Sequence, residues 1–171
     1  MSHSAAGEPP TGRRAGPADT ATFAEADWGL LVRLPGQVMV AAASAGPDDP
    51  RLMVGESLAG LEGIAAGRAF DSDLVRAVVA AIYAESADPH PLVDRRDPAR
   101  RAAATLSACR RAVAILAEHA DPADSAAYRQ WVQSVAVRVC RAGEDVAPVA
   151  RLGPVRRTGF LGELRRALAL G

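Results

Sequence analysis

Lysine and asparagine are missing altogether from these 171 residues. All 20 basic residues are arginine, and 20 acidic residues balance them to a formal charge of zero. GC-rich codon usage explains this bias together with the abundant Ala and Gly; selection for guanidinium forks that grip anions is the lesser reading. Aromatic residues make up only 4% of the chain, which argues against a base-stacking platform for single-stranded nucleic acid. Two cysteines, Cys109 and Cys140, are too few for a disulfide scaffold and fit a reducing, cytoplasmic setting. No apolar run reaches the ~18–20 residues that a membrane-spanning helix needs. The first twenty residues hold acids, prolines and an Arg pair but no apolar core, so no signal peptide is expected. Glycine-rich phosphate loops, a Gly-x-Ser-x-Gly elbow and a Cys-x-x-Cys pair are also absent. These absences point away from enzymes that carry a recognisable motif.

What is present is helical periodicity. Residues 1–22 are rich in Gly, Pro, Ser and Ala with no large apolar side chain apart from Met1, and they read as a disordered tail. From Phe23 onward apolar residues recur at three- and four-residue steps, which predicts one helical domain over 23–171. Pro35 is expected to split the first stretch into helices near 24–33 and 35–45. A helix over 51–67 places Met53, Val54, Leu58, Leu61 and Ile64 on one side. Gly55, Gly60 and Gly63 fall on the other side beside Glu56, where close approach of another backbone would justify them. Further helices are expected near 72–86, 99–120 and 123–142, and a short Leu-rich one at the end. Loops are expected over 87–98 and 143–158. The fold class is therefore all-α, a single compact bundle of about six helices. Its expected core includes Trp28, Leu31, Val78, Ile82, Leu106, Val113, Trp131, Val135 and Leu164.

Charge is unevenly divided. Residues 1–94 hold six Arg against 13 acids, a net of −7, and residues 95–171 hold 14 Arg against seven acids, a net of +7. Two halves packed face to face would satisfy this internally, through ion pairs joining the 48–94 region to arginines of 95–166. An open basic half would instead bind nucleic acid or another polyanion, with strong salt dependence. The internal explanation is preferred, and the Arg pairs are expected to form solvated faces.

Two segments look alike at an offset of 75 residues: Val38–Asp49 (VMVAAASAGPDD) and Val113–Asp124 (VAILAEHADPAD). Each runs an Ala-rich helix into a Pro/Asp turn followed by an amphipathic helix. This helix–acidic turn–helix in two copies, with the Tyr128–Trp131 (YRQW) and Gly159–Gly162 (GFLG) segments, resembles the tellurite-resistance TerB-like family of small helical bundles and its uncharacterised bacterial relatives. The resemblance implies a two-fold pseudo-repeat, a stress-related role and a divalent cation held by acids of the turns. Position by position, those acids are Asp48 or Asp49 with Glu56 in the first copy, and Asp121 or Asp124 in the second. A Pro-Asp-Asp-Pro step stands in the first turn where the family carries Asp-Gly.

Hard cations need several converging oxygens, so these acids would form a site only if the two turns face each other. Capping of free helix amides is the preferred role for them. His119, at the end of its helix, is expected to be solvent-exposed. Cys109 falls on an apolar stripe and Cys140 nearer a helix edge, and neither has a His at catalytic spacing. Val137 and Leu52 lie off the main apolar stripes and would seed a partner surface. The function expected is a non-catalytic accessory or protein-interaction module, with a protein partner or a homo-oligomer. A metal-dependent enzyme or sensor, and a polyanion binder, are the alternatives.

Overall fold

The computed structural model describes residues 22–46, 50–85, 97–146 and 153–171. Residues 1–21 and 86–96, with most of the expected tail and of the expected 87–98 loop, lie outside that set. Among the described residues are six α-helices: α1 (Glu25–Ser44), α2 (Pro50–Ala66), α3 (Asp73–Glu85), α4 (Pro98–His119), α5 (Pro122–Val146) and α6 (Gly153–Ala167). A 3-10 turn over Gly67–Ala69 follows α2, and no strand occurs among the described residues. The fold is all-α.

Local chemistry starts these helices where it should. Asp97 caps α4 by accepting the Arg100 amide at 2.9 Å, with Pro98 in the first turn. Ser72 Oγ accepts the Val75 amide at 3.2 Å ahead of α3. Asp121 accepts the Ala123 amide at 2.8 Å where Pro122 opens α5. Tertiary packing then arranges the helices about α5. α2 lies along α5, α1 rests on both α4 and α5, and α6 closes against α4 and α5. Tyr128, Trp131, Val132, Val135 and Val139 of α5 are all fully buried. Of the expected core, Leu31, Val78, Leu106, Trp131, Val135 and Leu164 are buried, and Trp28, Ile82 and Val113 are half-buried.

The two oppositely charged halves pack together. Arg157 pairs with Glu56 across α6 and α2, as expected of the 48–94 region, and Arg111 Nη2 reaches Asp27 Oδ1, outside that region, at 3.0 Å across α4 and α1. Two further ion pairs among the described residues stay within one half, Arg76–Asp73 and His119–Glu118.

Three expectations need correction. Pro35 does not divide the first helix: α1 is continuous over Glu25–Ser44. A proline at 35 withholds the amide that would bond the Leu31 carbonyl. Tyr128 Oη donates to that carbonyl instead, at 2.7 Å in the core, so the orphan is satisfied and the helix persists. The 143–158 loop is mostly helix, since α5 runs to Val146 and α6 begins at Gly153. Finally, α2 turns most of its apolar side outward, while the close approach expected at its glycines is made at Gly60 and Gly63. It buries Leu52, Glu56, Gly60, Gly63 and Ile64 and exposes Val54, Leu58 and Leu61. Close packing decides this. A Cβ on Gly60 would overlap the Met39 side chain, and one on Gly63 would lie 3.2 Å from the Val135 Cα. The glycine face is the one that lets α5 approach.

Candidate functional site

The acidic turns do not build a cation site among the described residues. Glu56 sits in the core against Arg157, Asp121 caps α5, and Asp124 accepts a hydrogen bond from Ser72 Oγ at 2.5 Å. Asp48 and Asp49 lie outside the described residues. Glu56 contacts α6 near Cys140, whereas Asp124 lies in the first turn of α5, roughly 24 Å away along a helix rising 1.5 Å per residue. No group of three or more His, Cys, Asp or Glu converges among the described residues. His119 is half-buried rather than exposed, edge-on to the Phe23 ring at 6.1 Å.

Neither cysteine is placed for nucleophilic work. Cys109 is fully buried, and burial pushes its thiol up to about 12, so it stays protonated at neutral pH. Cys140, expected near a helix edge, is buried as well.

Arg157 is the residue that sequence reasoning misplaces most. Composition puts it in a solvated loop, yet its side chain is buried on α6. Its Nη2 donates to Glu56 Oε1, and its Nη1 donates to the Cys140 carbonyl at 3.1 Å. Gly46 and Gly143 form the walls of this slot. A Cβ on either would overlap the guanidinium, so both positions must lack one. Burial pushes the Glu56 carboxyl above its usual value, and the Arg157 charge opposes that rise. The cluster fastens α6 to α2 and α5. The Glu56 carboxylate and both Arg157 Nη atoms are engaged inside the protein, while Arg157 Nε has no partner among the described residues.

The surface carries a different feature. Val54, Leu58 and Leu61 are 72%, 58% and 53% exposed and lie at i, i+4 and i+7 on α2. That spacing places them on one helix face, as a stripe two turns long. Leu61 also forms one wall of a groove of about 720 Å³. α1 lines it with Val32, Gly36 and Val40. Ala104, Thr105 and Ala108 of α4 and Ile82 of α3 line it as well. Charged and polar groups lie among its lining residues: Arg33 and Gln37 from α1, Arg101 from α4 and Glu85 from α3. Arg101 Nη1 also donates to Ser44 Oγ at 2.7 Å.

The stray apolar residues singled out in the sequence do not contribute to this surface. Leu52 is buried and Val137 is half-buried. The signal that would have found it was the glycine spacing on α2. With Gly60 and Gly63 on the packed face, as their spacing predicts, Leu58 and Leu61 point outward. Comparison with protein-family models, with curated proteins and with solved structures finds no match to this chain.

Proposed function

We propose that this chain is a non-catalytic accessory protein that acts by binding a protein partner through the α2 stripe and the groove beside it. The observation that supports this most is the exposure of Val54, Leu58 and Leu61, contiguous through Leu61 with an apolar groove. Apolar surface left in water forgoes about 25 cal/mol per Å², and monomeric proteins seldom carry such patches beyond a few hundred Å² without a use for them. The same spacing of anchors is the one by which helices dock in grooves. The buried, protonated Cys109 and the mutually paired, buried Glu56 and Arg157 add weight, since neither offers an accessible reacting group. A stress-related setting is the part of this reading that comes from the TerB-like resemblance.

The test is site-specific photo-crosslinking in the native host. A photoreactive residue replaces Leu58, and a control replaces the exposed Gln130 on α5. Discrete crosslinked protein species from position 58 and none from position 130 are expected. Equal yields from both positions, or none from 58, would overturn the proposal.

A further inference from the structure

We infer that the occupant of this surface is a second copy of the same chain, seated about a two-fold axis so that α2 of each copy lies in the groove of the other. The inference rests on the interaction reading above and names its partner. In this arrangement Val54, Leu58 and Leu61 of one copy cover Val32, Gly36 and Val40 of the other.

Dimensions agree first. At 1.5 Å per residue, the stripe from Val54 to Leu61 is about 10 Å long and the α1 lining from Val32 to Val40 about 12 Å. Gly36, which lines the groove, carries no side chain. A Cβ built on Gly36 meets nothing within 4 Å, so a large side chain such as Leu58 has room there.

Connectivity makes the fit reciprocal. Leu61 belongs both to the stripe and to the groove wall, so α2 is a wall of its own groove and the candidate occupant of the next. Placing a two-fold axis between the two α2 helices fills both grooves in one step. An isologous contact requires this property: the same patch must be complementary to itself.

Charge points the same way. Glu62, beside the stripe, is exposed and makes no ion pair among the described residues. Arg33, exposed among the groove's lining residues, would meet an acid carried on the flank of an incoming helix. Three side chains alone fall short of the roughly 800 Å² per partner typical of a stable interface. A stable interface therefore needs the groove residues of each copy as well as its stripe.

Two measurements on the full chain test this. Sedimentation equilibrium of the wild type is expected to show a dimer at about 10 µM. Leu58→Glu and Gly36→Trp are each expected to weaken it by at least about tenfold, as loss of a central anchor does. Gly36→Trp fills the groove from a position whose Cβ touches nothing, and circular dichroism confirms that each variant is folded. Mixed-chain oxidation supplies the second measurement. Gly36→Cys and Leu58→Cys chains, mixed, should form a disulfide-linked pair much faster than either alone, since bonding needs Cα atoms about 4.4–6.8 Å apart. A wild type that stays monomeric to about 100 µM overturns the inference. A dimer indifferent to both substitutions, or no mixture-specific disulfide, does so equally. If the monomeric chain still crosslinks through position 58 to another protein, the interaction reading survives and only the identity of the partner fails.

Discussion

Removing the Tyr128 hydroxyl should reveal how α1 tolerates a proline at its centre. Pro35 cannot donate to the Leu31 carbonyl, and Tyr128 Oη does so from α5 at 2.7 Å. Burial pushes the Tyr128 phenol well above its usual value, so it remains a protonated donor throughout the neutral range. Tyr128→Phe leaves a buried carbonyl without a partner, which costs about 1–3 kcal/mol. In a chain of this size that lowers Tm by roughly 2–12 °C, at about 2–4 °C per kcal/mol. The decisive measurement is a double-mutant cycle with Pro35→Ala, followed by urea denaturation. The Pro35→Ala change restores an amide aimed at the Leu31 carbonyl, so the hydroxyl becomes nearly redundant. In that background Tyr128→Phe should cost less than about 0.5 kcal/mol. The coupling between the two sites is then about 0.5–3 kcal/mol, across 93 residues of sequence. Equal costs of Tyr128→Phe in the two backgrounds would refute the reasoning and return the bond to an ordinary packing contact.

Glycine-to-alanine changes should split by sign. Gly67→Ala drives a methyl to 2.7 Å from the Trp131 ring and should cost about 1–3 kcal/mol, whereas Gly55→Ala meets nothing and should gain about 0.5–1 kcal/mol; thermal melts distinguish them. Glu56→Leu alone strands the Arg157 charge in the core and should cost about 3–5 kcal/mol. The double change Glu56→Leu/Arg157→Met should recover most of this in chemical denaturation, because Arg157 Nε already lacks an acceptor among the described residues. The raised Glu56 carboxyl binds its proton more tightly folded than unfolded. Its own contribution to stability should therefore grow as pH falls through the raised value towards 4.5, and the wild type should gain on Glu56→Gln over that window. A thiol reagent at pH 8 should label neither cysteine in the native protein and both in denaturant, since both are buried.

Most of the helical architecture was legible because it depends on local chemistry. The starts of α3, α4 and α5 follow Ser72, Asp97-Pro98 and Asp121-Pro122, and each cap is made as its sequence implies. The buried faces of α4 and α5 followed from spacing, since each carries one dominant apolar stripe. Pro35 misled because its remedy lies on another helix. A rule that reads only the neighbours of a proline predicts a break, and nothing within α1 announces the Tyr128 hydroxyl. The loop expected over 143–158 failed for a related reason. Gly143 reads locally as a helix stop, yet in the fold it is the wall that makes room for the Arg157 guanidinium.

The surface of α2 was misread because hydrophobicity and packing give opposite answers there. By composition its leucines and Val54 belong inside and Glu56 outside. By volume the glycine face alone lets the helix approach α5 closely, and that approach puts Glu56 beside Arg157 in the core. Approach wins because contact along the length of α5 buries Leu52 and Ile64 and also lets Trp131 donate to the Gly63 carbonyl at 3.1 Å. A helix turned the other way would keep Val54, Leu58 and Leu61 dry, but at a wider separation it would forfeit that hydrogen bond and leave Arg157 without its carboxylate. The exposed stripe is thus the consequence of a core that uses the small face of α2. Any contact the stripe makes outside the chain recovers apolar burial that this packing gave up.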